Sequence, residues 1–355
     1  MGKTSIKYLK DTTVKYKQLD IVLSIIAMVS SFLVAGLFIL LVGESPIAAY
    51  TALFQGAFGS VSSIANTLCK SVPLIFTGTA VAFAMKGGML NVGAEGQLYI
   101  GAFASVAISL SFPDLPRFIL LPLSVLLGCF GGMIWGGIVG ILKAKRGVNE
   151  VIVTLMLNYI AILLTSYLVN GPFKAEGMVP QTEVVPKGAA FPKLIPRTQL
   201  TVSIFLAILI VYLVYVFLQK TSWGYEIRAV GENSYAAEAG GINISKNIIY
   251  TMALSGGIAA LAGISESLGT YGRFIDHFSP SFGFTGIAIA VLGRGNPLGT
   301  IIAAILFGAM DAGSMRMNRV AGISASMVNV IQGLVILFIA APQIYRILLS
   351  GRRKS

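Results

Sequence analysis

The chain has 355 residues, of which 55% are hydrophobic and only 11% are charged, and its mean hydropathy is +0.83. Soluble domains carry charge on about a quarter of their residues, so this composition excludes an ordinary soluble protein. The net charge of +12 does not indicate nucleic-acid binding, because the basic residues cluster in short segments beside long apolar runs, as in membrane proteins that obey the positive-inside rule.

Apolar runs of about 20 residues, enough to cross a bilayer, recur along the chain. A β-barrel would show short alternating segments instead. We therefore predict an all-α, polytopic integral membrane protein with a single transmembrane domain over residues 1–355. The predicted spans are 21–42, 61–85, 94–111, 118–142, 149–169, 200–219, 247–269, 283–293, 297–311 and 324–348. The eighth is too short to cross alone unless it begins earlier, and the ninth is marginal.

The N-terminal segment 1–20 is basic, and we predict that it is cytoplasmic. The apolar run 21–42 is longer than the core of a signal peptide and lacks a cleavage site, so we expect an uncleaved first span. Ten spans place both termini in the cytoplasm. The cluster of Lys143, Lys145 and Arg146 is the main evidence for this orientation, because the positive-inside rule depends most on basic residues in short loops beside spans.

The stretch NVGAEGQLYI, residues 91–100, interrupts the apolar pattern where the third span begins. It combines the carboxylate of Glu95 and the amides of Asn91 and Gln97 with two glycines. One interpretation places Glu95 at the membrane interface, near a helix N-terminus whose dipole favours an anion. The other is a broken helix beside a transport pathway, because irregular backbone at depth needs cover from protein or water. The residues themselves leave both interpretations open.

Other polar residues also fall within spans. Asn158 lies about two turns into the fifth span, after Glu150 at its start, and a helix-to-helix hydrogen bond explains it better than a pathway role. Lys70 and Glu266 are further charged residues in apolar surroundings, where charge is costly and usually faces a bundle interior or a wet cavity. The sequence assigns no role to Lys70.

Two loops are long. Residues 170–199 hold five of the 13 prolines and predict an extended external connection between two sets of five spans. A faint repeat accompanies this division, since Pro122-Leu123 matches Pro297-Leu298 in spans that would run in opposite directions. Such short matches also arise by chance at this composition. If the match is a true repeat, the two halves are inverted-topology repeats.

Residues 220–246 form the largest predicted cytoplasmic loop. Asn233 or Ser234 can cap a short helix there, and Gly240-Gly241 can end it. Such a helix suits docking into a groove on a partner. A plain connecting loop is the alternative, and composition alone favours it.

Motifs for chemistry are missing from the sequence. It contains no phosphate-binding G-x-x-x-x-G-K-[ST], no H-E-x-x-H and no G-x-S-x-G, and His277 is its single histidine. Cys69 and Cys129 lie in apolar surroundings, as small hydrophobic residues do. We therefore predict no catalytic, metal or cofactor site and no enzyme activity.

Three segments resemble one family. GYEIRAVGENSYAAEAGGI at 224–242 resembles the coupling loop of permeases from ATP-binding cassette (ABC) importers, especially the branched-chain amino acid and simple sugar type. NVGAEGQLYIGA at 91–102 and VNEVIVTLMLNYIA at 148–161 are similar to the nucleoside permease branch of that type. MVNVIQGLVILFIAAP at 327–342 also fits, and the resemblance covers the chain from about residue 65 to its end.

This resemblance implies a nucleoside importer of a bacterial cell membrane. ATPase subunits would clasp the coupling loop, a second permease subunit, identical or not, would complete the membrane core, and an extracellular or periplasmic substrate-binding protein or lipoprotein would deliver the cargo. Ribose-type sugars or branched-chain amino acids are the alternative cargo. An ion-coupled secondary transporter is a more distant alternative.

The resemblance assigns candidate functional residues wherever this sequence matches the family's motifs. The resemblance makes the coupling-loop residues candidates for ATPase contact: Arg228, Ala229, Gly231, Asn233, Ala236, Ala237 and Gly241. Five more become candidates for the pathway or for helix packing: Asn91, Glu95, Gln97, Glu150 and Asn158.

Overall fold

The computed structural model describes residues 29–41, 43–324 and 326–340. The predicted segment 1–20, the start of the first span and the end of the last span lie outside these ranges. The helices are α1 Val29–Leu41, α2 Pro46–Phe58, α3 Val61–Lys86, α4 Ala94–Ser111, α5 Arg117–Arg146, α6 Glu150–Asn170, α7 Ser203–Lys220, α8 Ser222–Glu232, α9 Ser234–Ala239, α10 Ile244–Ser265, α11 Phe282–Leu292, α12 Pro297–Ala321 and α13 Met327–Ala340. A π-helical turn, Glu266–Thr270, continues α10. Extended pairing within the described ranges is limited to two isolated β-bridges, so the predicted all-α class is confirmed.

Six helices are long and apolar enough to cross a membrane: α3, α5, α6, α7, α10 with its π-helical turn, and α12. The pair α1 and α2, bent by 119°, is a seventh candidate. These helices confirm a polytopic membrane protein. By length and hydropathy, however, the described helices supply fewer spans than the ten predicted. The 11 residues of α11, for example, rise only about 16 Å, roughly half of a bilayer's hydrocarbon core.

Two elements differ most from the prediction. Helix α2 follows the first predicted span, in a region where no element was predicted. Helix α12 continues to Ala321, past the predicted end at 311. The extension AGSMRMNRVA is more polar than the run before it, but its alanines, methionines and arginines favour helix.

The described residues form two compact units. The larger unit, Ala57–Ala312, contains α3 to α11. The smaller unit combines the described residues before 57 with those after 312. Within it, Arg316 donates a hydrogen bond of 3.0 Å to the side chain of Gln55.

Helices α5 and α10 cross closely in the larger unit because glycines line the contact. Buried glycines recur at every fourth position of α5: Gly128, Gly132, Gly136 and Gly140. A Cβ atom on Gly132 would lie 2.5 Å from the carbonyl oxygen of Gly256 in α10, and one on Gly140 would lie 2.8 Å from the Cα atom of Ile249. Small residues at four-residue spacing allow such backbone contact between membrane helices.

The proline-rich connection between α6 and α7 is extended, and it packs against the segment that follows α10. Val185 N donates to Gly272 O at 2.9 Å, and Phe191 N donates to Leu268 O at 2.9 Å. Val185 and Phe191 are themselves buried. These bonds bring the connection to the end of α10 that carries the π-helical turn.

Candidate functional site

Helices α3 and α4 are separated by a short irregular break at residues 87–93. Buried Asn91 organises it: its Oδ1 accepts from the backbone N–H of Gly93 at 3.0 Å, and its Nδ2 donates to Gln97 Oε1 at 2.8 Å. The same Nδ2 donates to Ser255 Oγ at 2.7 Å, and Ser255 in turn donates to Ala80 O. This network ties the start of α4 to α10 and α3 and satisfies buried polar groups at the break.

Glu95 joins α4 to α11. It lies in the first turn of α4, is only 3% exposed, and its Oε2 accepts a hydrogen bond of 2.6 Å from the backbone N–H of Gly283. Gly283 is in the first turn of α11, so the carboxylate lies at two helix N-termini, whose dipoles favour an anion. A side chain on Gly283 would overlap the backbone of Glu95.

Asn158 joins α6 to the same break. Its Oδ1 accepts from the backbone N–H of Gly96 at 2.7 Å, and its Nδ2 donates to Val92 O at 2.9 Å. Both side-chain dipoles are therefore matched to backbone groups, which a helix-to-helix packing role requires.

Glu150 stands apart from this cluster. It begins α6 and forms an ion pair with Lys143 near the end of α5. Asn149 caps α6 by accepting from Val151 N at 2.9 Å. The pair therefore fixes the turn between α5 and α6.

Four of the five predicted pathway residues thus meet at the break between α3 and α4, and all five bond within the chain. Their part in a pathway stays a prediction. The sequence did not identify Ser255 or Gly283 as partners. They lie 164 and 188 positions from Asn91 and Glu95, and no local pattern reports such pairing.

The segment 220–246, called the coupling segment below, contains two helices where one was expected. Thr221 caps α8 by accepting from Gly224 N at 3.0 Å. Asn233 then caps α9 by accepting from Ala236 N at 3.1 Å. Gly240 ends α9, and Gly241 has a φ of +83°, which glycine adopts without strain. The predicted capped helix is therefore present.

The seven candidate coupling residues differ in exposure. Asn233, Ala236 and Gly241 are exposed, whereas Ala237 is buried within the chain. Arg228, Ala229 and Gly231 are partly buried. Gly231 lies against the backbone at the end of α3, and a Cβ atom there would lie 2.7 Å from Gly88 N. The coupling segment therefore presents some of these residues outward and uses others to pack on the break.

A groove of about 460 Å³ separates the coupling segment from the body of the larger unit. Its walls include Gly88, Lys143, Glu232, Tyr235 and Ile248. Tyr235 is 84% exposed at the groove's edge. The coupling segment thus offers a recessed surface with an aromatic side chain beside it.

Comparison with known proteins identifies the family. Residues 63–340 match the family model for the branched-chain amino acid transport system / permease component. The chain belongs to this family. The permease is therefore a multi-pass membrane subunit of the ABC transporter class, as the motifs predicted.

Three relatives match over most of their length. The permease is 35% identical to the nucleoside ABC transporter permease protein NupB of Lactococcus lactis subsp. cremoris, over 94% of each chain. It is 34% identical to the guanosine ABC transporter permease protein NupP of Bacillus subtilis, over 93% of this chain and 96% of the relative. It is also 35% identical to the glucose ABC transporter permease protein TsgB13 of Haloferax volcanii, over 91% of this chain and 87% of the relative. No solved structure matches.

Proposed function

We propose that this permease is the translocation subunit of an ATP-driven importer that carries nucleosides. The observation that carries this proposal is the similarity, over more than nine-tenths of the chain, to two proteins named as nucleoside and guanosine permeases. The motifs at 91–102 and 148–161, which resemble the nucleoside branch, support the same cargo.

The coupling segment is the proposed docking site for the ATPase. Its two short capped helices are joined through Asn233. Tyr235 and Ala236 are exposed, and Tyr235 lines the 460 Å³ groove. Gly231 packs against the end of α3, so movement of the segment would be transmitted directly to the break at 87–93. ATP hydrolysis then belongs to the docked subunits, since this sequence contains no phosphate-binding loop.

The helix break is the proposed moving part of the pathway. Asn91, Gln97 and Asn158 connect the start of α4 to α3, α6 and α10 by hydrogen bonds, and Glu95 connects it to α11. Glu150 supports this region by fixing α6 to α5. Because packed interfaces switch between discrete arrangements, a push from the coupling segment would reposition these helices together.

The proposed assembly has further members. A second permease subunit, identical or different, completes the membrane core, and a substrate-binding protein or lipoprotein delivers the nucleoside from outside. The location is the bacterial cell membrane, with both termini in the cytoplasm. This orientation puts the basic cluster of Lys143, Lys145 and Arg146 inside, as the positive-inside rule favours.

Uptake of labelled nucleosides tests the cargo. Cells that lack the gene are compared with cells that regain it, using labelled guanosine and uridine. We expect restored uptake of at least one nucleoside, which falls on ATP depletion. Unchanged uptake of both would refute the nucleoside assignment.

A sugar is the second candidate, because one relative of equal identity is named a glucose permease. Labelled glucose and ribose are therefore measured in the same cells. Restored sugar uptake without nucleoside uptake would transfer the assignment to sugars. Uptake that survives ATP depletion and stops with a protonophore would instead indicate an ion-coupled carrier.

A further inference from the structure

Two charged residues without an assigned role, Lys70 and Glu266, lie near each other in the larger unit. Lys70 lies in the first half of α3, and Glu266 opens the π-helical turn after α10. The coupling segment leads into the opposite end of α10, whose 22 residues rise about 33 Å. The charged pair therefore lies far from the proposed ATPase surface.

The carboxylate of Glu266 is only partly satisfied. Glu266 is 5% exposed, and its Oε1 accepts a hydrogen bond of 3.3 Å from Thr270 Oγ1. Its Oε2 accepts none from any residue that the structure describes, and this oxygen is not sealed from solvent. One buried acceptor is thus available to a donor from outside the chain.

Lys70 supplies a complementary donor. It is partly exposed and interacts electrostatically with Glu266, yet among the described residues it makes no ion pair within 4.0 Å and donates no hydrogen bond. A charged side chain inside apolar surroundings is costly, and such residues usually mark a wet cavity or a substrate path. The Lys70 ammonium and the Glu266 carboxylate are thus close enough to interact electrostatically but form no direct contact within 4.0 Å.

The backbone around this pair is specialised. The π-helical turn is a rare element that often occurs at functional sites. Gly269 lets the turn approach the connection just before α7, since a Cβ atom there would lie 3.2 Å from Thr201 Oγ1. Cys69 is buried beside the turn, 3.9 Å from Thr270 Oγ1, so the cluster is fixed from α3 as well.

We propose that Glu266, Lys70 and Thr270 form a binding site for the sugar hydroxyl groups of a ribonucleoside. A carboxylate oxygen is a strong acceptor for ribose hydroxyls, as in dinucleotide-binding proteins, and Glu266 Oε2 is free to accept them. The ammonium of Lys70 donates to an oxygen or nitrogen acceptor of the same cargo. This inference rests on the proposed function and adds a site within the permease that distinguishes ribose from deoxyribose.

Direct binding tests the site. The transporter is purified with its ATPase and any second permease that accompanies it, but without the binding protein. Binding of labelled guanosine is measured, with unlabelled guanosine and 2′-deoxyguanosine as competitors. We expect guanosine to compete about tenfold better, the effect of one hydrogen bond to a charged group. Glu266→Gln should reduce this preference to about twofold or less, because a neutral acceptor binds hydroxyls more weakly.

The contrary outcomes are distinct. Three results would each overturn the site. They are no binding of guanosine to the wild-type complex, equal competition by guanosine and 2′-deoxyguanosine, and an undiminished preference for guanosine in Glu266→Gln. The proposed function would stand in all three cases if cells still import guanosine. Failure of uptake in cells would instead refute the proposed function itself.

Further variants protect the test against misfolding. Thr270→Val keeps the side-chain shape and removes the hydroxyl beside Glu266, and Lys70→Met removes the donor. If Glu266→Gln fails to fold, Lys70→Met should still weaken guanosine binding about tenfold, since it removes a charged donor. Unchanged binding in Lys70→Met would then overturn the site. Glu183→Gln, an exposed carboxylate in the 171–202 connection, is the matched control and should bind guanosine as the wild type does.

Discussion

The carboxylate of Glu95 accepts a hydrogen bond of 2.6 Å from the backbone N–H of Gly283, although 188 positions separate the two residues. The bond connects the first turn of α4 to the first turn of α11. It also satisfies a backbone donor that α11 leaves without a partner inside its own helix. One side chain thus anchors α11, a helix too short to cross a bilayer, to the start of α4.

Glu95 variants should separate capping from charge. We expect Glu95→Ala to lower the free energy of unfolding by about 2 kcal/mol, because the buried Gly283 N–H loses a charged acceptor. Glu95→Gln keeps an acceptor and should lose only about half as much, since neutral bonds are roughly half as strong. Thermal unfolding of the purified protein in detergent measures both. Equal melting temperatures for wild type and Glu95→Ala would show that the cap contributes little.

Adjacent alanines in α9 should behave in opposite ways. Ala236 is exposed, so Ala236→Arg should leave folded protein at wild-type yield and reduce co-purification of the ATPase. Ala237 is buried, so Ala237→Arg should lower the yield of folded protein, because a charged side chain cannot occupy its place. Pull-down of the ATPase, normalised to folded permease, measures the docking effect. Normal ATPase recovery with Ala236→Arg would argue against docking on this face of α9.

Asn158 should contribute to stability more than an exposed amide does. Asn158→Ala leaves Gly96 N and Val92 O without their partner, and we expect a loss of about 2 kcal/mol. Asn170→Ala is the control, because Asn170 is exposed near the end of the same helix. Thermal unfolding of the two variants, side by side, measures the difference. A loss no greater than that of the control would contradict a packing role for Asn158.

Neighbouring glycines in α5 test the close crossing with α10. Gly132→Ala places a Cβ atom 2.5 Å from Gly256 O, so we expect destabilisation of about 1–3 kcal/mol by overpacking. Gly131→Ala places a Cβ atom at an ordinary 3.4 Å from Ala104 and should be neutral or slightly stabilising. Unfolding curves of both variants in the same detergent provide the measurement. Similar stabilities would mean that the two helices can separate without cost.

The sequence alone determined the class of this protein and the position of its capped coupling helix. Both follow from local properties: the hydropathy of a run decides whether it can cross a bilayer, and Asn233 and Gly240 act on the backbone within a few residues. The family's motifs were also legible, because they are short contiguous stretches such as those at 91–102 and 224–242. Helix ends were less certain, and the extension of α12 to Ala321 shows why: a helix can continue beyond the end of its apolar run.

Only the tertiary structure decided what the polar residues contact. The sequence left Glu95 between an interfacial anchor and a lining of the pathway, whereas the fold gives it Gly283 as a partner. Likewise the sequence placed Ala237 among the candidates for ATPase contact, and the fold buries it. Lys70 and Glu266 interact electrostatically only because the fold brings α3 and the π-helical turn after α10 together. The reason is physical: hydropathy and capping act over a few residues, whereas buried hydrogen bonds and charge pairs join residues that only the packing of distant helices brings into contact.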